Sequence, residues 1–195
     1  GPRQVGKTTL LRALQTKSRS YISLDDVEVR IAAKEDPAGF VDQLKLPVLI
    51  DEVQYAPELF PYIKMVVDGR SENGLFWLTG SQQFSMMKNV SESLAGRVGI
   101  LELQGISLAE DEGRADTPPF IPTKRVLQQR RDKAKPLSLR DLYFKIWRGS
   151  YPHVVINNGK TWERFYQSYL TTYIERDVRD YLKVDNLTAF RKFMQ

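Results

Sequence analysis

The chain of 195 residues carries 29 lysines and arginines against 24 aspartates and glutamates, and 42% of it is hydrophobic. That supports one α/β domain and part of another, while a net charge of +5 is too mild to argue for nucleic acid on its own. With no cysteine and a single histidine, His153, disulfides, thiolate chemistry and a multi-histidine metal site are excluded; no apolar run approaches the ~18 residues of a membrane span.

The chain opens "GPRQVGKTTLLRAL". Gly1, Gly6, Lys7 and Thr8 fit the spacing Gly-x-x-x-x-Gly-Lys-Ser/Thr, and Leu10, Leu11, Ala13 and Leu14 give the following residues the apolar spacing of a helix. Physically this is a loop of backbone N–H groups at a helix N-terminus, a cradle for phosphate oxygens. Residues Gly1, Pro2, Arg3, Gln4, Val5, Gly6, Lys7, Thr8 and Thr9 form the candidate cradle. Lys7 is placed for the β- and γ-phosphates of ATP and Thr8 for Mg²⁺. The competing reading is a glycine-rich turn that binds nothing. A strand normally precedes such a loop, and none can be read ahead of Gly1. The expectation is an internal fragment of a longer reading frame.

Next, "YISLDD" (21–26) reads as a strand ending in acids, and "VEVRIAAKE" and "PAGFVDQL" as helices, the second starting at Asp36-Pro37. "LPVLIDE" (46–52) is a short continuous apolar run, as in a strand buried on both faces. "PELFPYIKMVVDG" is helical between Pro57 and Gly69, "GLFWLTGS" (74–81) is another buried strand, "SESLAGRV" a short helix or turn, and "GILELQ" (99–104) a further strand. Such alternation specifies a parallel sheet with helices on both faces.

The pattern breaks at residues 113–137, which hold four of the ten prolines and many charges; they read as a long exposed connection, partly disordered. Ser138 then caps the helical "SLRDLYFKIWRG". "TWERFYQSYLTTYIERDVRDYLKV" sets Trp162, Phe165, Tyr166, Tyr169, Leu170, Tyr173, Ile174, Val178 and Tyr181 at helical spacing, a packing stripe. "NLTAFRKFMQ" reads as one more helix. The expected organisation is a core over 1–112, a proline-rich basic linker over 113–137 and a helical segment over 138–195.

Three further features bear on chemistry. Asp51 and Glu52 end an apolar strand downstream of the phosphate loop. Asp51 is placed to bind the Mg²⁺ shell and Glu52 to deprotonate a water attacking the γ-phosphate; their alternative use is to cap the next helix. In "LTGSQQ" (78–83), Thr79, Ser81 or Gln82 sits at a strand's carboxyl end, where open α/β sheets bind ligands, and one of them would sense the γ-phosphate or hold the water. Arg97 in "LAGRVG" would stabilise charge on the transferred phosphoryl group, in cis or across a subunit boundary, or is an ordinary surface arginine.

In this order "GPRQVGKTTLL", "YISLDD", "LIDEVQYAPELFPYIKMVVD", "LTGSQQF", "SLAGRVGILEL", "GSYPHVV" and "YIERDVRDYLKV" resemble the prokaryotic AAA+ ATPases of family fourteen, the archaeal-type ATPases, which carry a C-terminal domain of unknown function. The resemblance covers nearly the whole chain apart from 113–137. It implies an α/β P-loop NTPase fold of the AAA+/ASCE kind without its first strand, followed by a helical C-terminal extension. It also implies Lys7 and Thr8 as Walker A, Asp51 and Glu52 as Walker B, and Ser81 near the first sensor position. ATP and Mg²⁺ are the implied cofactors, and a homo-oligomer and a cytoplasmic location are the expectations beside them. Residues 1–20 lack the apolar core of a signal peptide. Three rivals differ in kind. A small-molecule kinase uses the same loop, but Glu52 beside Asp51 favours water activation. A GTPase lacks support because no Asn-Lys-x-Asp motif occurs. A nucleic-acid-binding module would use Lys124, Arg125, Arg130, Arg131, Lys133 and Lys135, a stretch that otherwise reads as a solvated linker. A nucleotide-gated switch with little hydrolysis is a further alternative.

Overall fold

A computed structural model of the chain describes residues 1–81, 93–114, 121–133 and 136–173. It divides into two units, Gly1–Gln104 and Gly105–Gln195.

The first unit is built around a three-stranded parallel sheet of order β1-β2-β3, made of β1 (Ser20–Ser23), β2 (Val48–Asp51) and β3 (Phe76–Leu78). Ser20 and Ile22 stand opposite Val48 and Ile50, which in turn stand opposite Phe76 and Leu78. Successive side chains of a strand point to opposite faces. Leu49 and Ile50 are both fully buried, so the central strand is covered on both sides, as its unbroken apolar run requires.

Helices α1 (Lys7–Leu14), α2 (Val27–Glu35), α3 (Pro37–Asp42) and α4 (Leu59–Asp68) surround this sheet. Local chemistry sets their starts. Asp26 caps α2 by accepting from the N–H groups of Glu28 at 2.9 Å and Val29 at 3.3 Å. Asp36 caps α3 through the Gly39 N–H at 2.9 Å, with Pro37 as its first residue; proline fits there because that N–H has no helical partner. Leu59, Phe60 and Ile63, at helical spacing, face the core while Met65 on the other side is exposed. With Leu24, Ala33, Val41, Val48, Ile50, Val53, Ala56 and Leu94 they form one apolar cluster. Each fully buried large member contributes about 1.5–3 kcal/mol.

Residues 99–104 do not form the expected strand. Leu101 is 96% exposed and Ile100 is half exposed. Alternation says which face of a strand would be buried; it does not supply the neighbour whose N–H and C=O groups a strand needs, and the described residues offer none.

The second unit is helical: α5 (Leu108–Asp111), α6 (Lys124–Lys133), α7 (Leu139–Arg148), α8 (Pro152–Ile156) and α9 (Trp162–Tyr173). Ser107 and Glu110 form a reciprocal capping box at α5, and the Ser138 hydroxyl accepts from Asp141 N–H at 3.0 Å to start α7. Helix α6 lies within 113–137, the stretch read from the sequence as a long exposed, partly disordered connection. Its sequence, KRVLQQRRDK, consists almost wholly of straight-chain helix formers, and that propensity outweighs the flanking prolines. Apart from Val126, the residues of α6 from Lys124 to Asp132 are exposed. The aromatic stripe packs. Trp162 lies against Trp147 with ring centres 4.2 Å apart, and Tyr151 against Phe165 at 5.3 Å and Tyr169 at 5.0 Å. Its members from Ile174 onward, and the last helix read from sequence, lie outside the described residues. The Asp111 carboxylate joins α5 to α7, accepting from Lys145 Nζ at 2.5 Å and Arg148 at 2.8 Å.

Candidate nucleotide site

Residues 1–6 are positioned by backbone conformations that few residues adopt. Val5 is buried and anchors the loop. Gln4 and Gly6 take left-handed conformations, with φ 60° and 90°, and Gly6 ends the loop as the N-cap of α1. A Cβ at Gly6 would meet nothing within 4 Å, so the glycine is there for its φ and leaves open space over the helix N-terminus. At Gly1 the reason is contact: a Cβ would fall 1.9 Å from the carbonyl oxygen of Leu103.

Lys7 folds back over this loop, donating to the carbonyl oxygens of Pro2 at 2.5 Å and Gly1 at 3.2 Å. Burial lowers its ammonium below the ordinary lysine value; Glu52 opposes that shift, Arg3 adds to it and Asp51 opposes it. Thr8, one residue on, turns the other way. Its hydroxyl lies 3.0 Å from Asp51 Oδ1 and 2.9 Å from Oδ2. Asp51 is 5% exposed and takes two more hydroxyls, Thr79 on Oδ1 at 2.5 Å and Tyr21 on Oδ2 at 3.1 Å. Burial, and then the Asp51 charge, raise the Tyr21 phenol.

The parallel sheet creates this convergence. The ends of β1, β2 and β3 lie side by side, and backbone bonds continue past them: Leu24 N–H to Asp51 O at 3.0 Å, Thr79 N–H to Ile50 O at 3.0 Å and Val53 N–H to Thr79 O at 2.9 Å. Between these bonds Glu52 adopts φ 56° and ψ 43°, a conformation uncommon for any residue but glycine. Its side-chain Oε2 accepts from the Gln54 amide and from Ser81 Oγ at 3.3 Å.

The structure thus brings together Lys7, Thr8, Asp51, Glu52 and Ser81. It does not bring Arg97 to them. Arg97 Nε is bonded to Asp68, and both side chains are about two-fifths exposed. Asp68 is the last residue of α4, a helix about 15 Å long. Thr9 is exposed, and Gln82 lies outside the described residues. Thr79, one of three polar residues open to a phosphate-sensing role, bonds Asp51. Tyr21 and Gln54 are additional. Tyr21 was hidden in a run read only as a strand. Gln54 carried one signal, an amide among apolar residues in "DEVQYA".

A magnesium–nucleotide fits this set. A threonine hydroxyl and one carboxylate are hard oxygen donors, and Mg²⁺ at phosphate sites takes one or two carboxylates along with phosphate oxygens. The open side of Gly6 and the cation of Lys7 suit phosphates. No helix among the described residues is long and apolar enough to cross a membrane.

Uncharacterized proteins of Mycobacterium bovis and Mycobacterium tuberculosis are each 38% identical over 111 residues, 56% of this chain. The chain spans about a quarter of the length of these relatives, 25% of each. No solved structure matches. A family model described as a domain of unknown function, DUF8612, matches residues 139–195. The model of the AAA domain family matches residues 1–111, more than half of the chain, which therefore belongs to that family and carries the P-loop NTPase fold in its first unit.

Proposed function

We propose that the chain is the nucleotide-hydrolysing core of a Mg²⁺-dependent ATPase, converting ATP and water to ADP and phosphate and using the cycle to drive a conformational change. The observation that carries this reading is the Thr8 hydroxyl against both oxygens of Asp51, with Glu52 next in the chain and turned out of the strand. The loop N–H groups and Lys7 hold and neutralise the β- and γ-phosphates. Thr8 and Asp51 hold Mg²⁺, which when bound draws charge from phosphate oxygens. Glu52 is a carboxylate free to accept a proton from water at the γ-phosphate. Ser81 steadies it. Tyr21 and Thr79 donate to the Asp51 carboxylate and would hold its orientation when Mg²⁺ is bound.

The test is phosphate release from ATP by the full-length protein, with and without Mg²⁺. Hydrolysis that stops on chelation, and that added hydroxyl metabolites do not accelerate, is the expected result. Acceleration by a metabolite, with its phosphorylation, would make the protein a small-molecule kinase instead.

A further inference from the structure

We propose that Gln54 is a positioning residue for hydrolysis: its side-chain amide holds one oxygen of Glu52 so that the other faces the attacking water. The proposal rests on Glu52 being the base. Its starting point is a buried group that packing does not explain. Gln54 is 8% exposed and stands in the one-turn helix Val53–Tyr55 among apolar neighbours. Its amide oxygen is buried without a partner among the described residues. An apolar side chain of that length would avoid leaving an amide half satisfied. What the amide gains instead is the bond from Nε2 to Glu52 Oε2.

That bond acts where orientation is otherwise loose. The Glu52 backbone sits in the left-handed region, a strained conformation that must be held by its surroundings. Its side chain has rotatable bonds and, from Ser81, a donor at 3.3 Å. Gln54 and Ser81 both reach Oε2, and the described residues send no hydrogen bond to Oε1. Among the described residues the carboxylate is therefore tethered by one oxygen only. A lysine or arginine in place of Gln54 would tether it too, but would pair the charge that makes it a base; an amide donates without doing so.

The experiment compares kcat, KM and ATP affinity of the full-length parent, Gln54→Met and Gln54→Glu. Gln54→Met keeps length and burial but removes the donor. It is expected to lower kcat about 10- to 100-fold, the range for a lost hydrogen bond to a charged group, with KM and affinity unchanged. Gln54→Glu carries its own signature. When protonated, the new carboxyl donates to Glu52 as the amide does; when ionised, it repels it. Its kcat relative to the parent is expected to fall as pH rises, while the Gln54→Met ratio stays flat. Lys7, Asp51 and Ser81, the other polar groups around Glu52, are common to all three proteins and cancel in these ratios. Parental kcat in Gln54→Met, a loss confined to affinity, or a Gln54→Glu ratio that does not change with pH would overturn the proposal. A parent that does not hydrolyse ATP would overturn the ATPase reading itself. Hydrolysis by the parent with flat variants would overturn only the role of Gln54.

Discussion

At the scale of single residues, the site is a division of labour between adjacent side chains. Lys7 and Thr8 are neighbours that point apart, one to the phosphate loop and one to Asp51; Asp51 and Glu52 are neighbours separated by a change of backbone handedness. Lys7→Ala is expected to weaken ATP binding about 10- to 100-fold, the range for charge-assisted hydrogen bonds, read as a loss of the melting shift with Mg·ATP. Tyr21→Phe removes one hydroxyl from Asp51 while keeping the ring that Arg12 covers at 4.5 Å. It is expected to raise the Mg²⁺ concentration needed for half-maximal hydrolysis and leave nucleotide affinity without metal unchanged; equal Mg²⁺ dependence would remove Tyr21 from the metal site. Single residues were also where the sequence was least informative. Spacing marked Lys7, Thr8, Asp51 and Glu52 because chain neighbours form that motif. Tyr21 acts through a contact made from within a neighbouring strand, which nothing in its local sequence announces; Gln54 acts through a turn, and its only local signal is an amide among apolar residues.

At the scale of elements, caps and pairing decide what forms. The Asp36-Pro37 start of α3 and the Ser138 start of α7 were legible because capping is local chemistry. Strands β2 and β3 were legible from apolar runs and form shorter cores of them, while β1 begins one residue before the run read at 21–26 and stops short of its acids. Residues 99–104 do not form a strand because a strand is a relation between two segments, and α6 forms between bordering prolines because its interior consists of helix formers. In the second unit, Asp111 ties α5 to α7. The bond from Arg148 holds its carboxyl below the ordinary range, burial works against this, and the bond from Lys145 assists. A lowered native value means stability that is present above the unfolded aspartate range, about pH 4, and lost as pH falls through the native value. Asp111→Asn is expected to cost about 3 kcal/mol near neutral pH, since it leaves the buried Arg148 uncompensated, and to flatten the acid side of the stability profile. Urea denaturation at several pH values measures both; an unchanged profile would show that the cluster is not coupled to folding.

At the scale of the whole molecule, the parallel sheet is what turns scattered residues into a site. Residues 51 and 79 meet because neighbouring strands end together, Tyr21 reaches Asp51 with its phenol from two residues before the end of β1, and Thr8 meets them from the start of α1. Arg97 stands outside this group, paired on the surface with Asp68. If Arg97 acts on phosphate across a subunit boundary, mixing Arg97→Ala with Lys7→Ala protein is expected to restore hydrolysis above that of either alone; no recovery at any ratio would leave Arg97 acting in cis or as a surface residue.

The central claim is that Glu52 activates water at a nucleotide held by Lys7, Thr8 and Asp51. Single-turnover hydrolysis of Mg·ATP by Glu52→Gln in the full-length protein tests it most directly, because the amide keeps the shape and loses the base. The expected result is nucleotide affinity equal to the parent's with hydrolysis slower by about 10²- to 10⁴-fold. Hydrolysis at the parent's rate, with affinity equally intact, would contradict it.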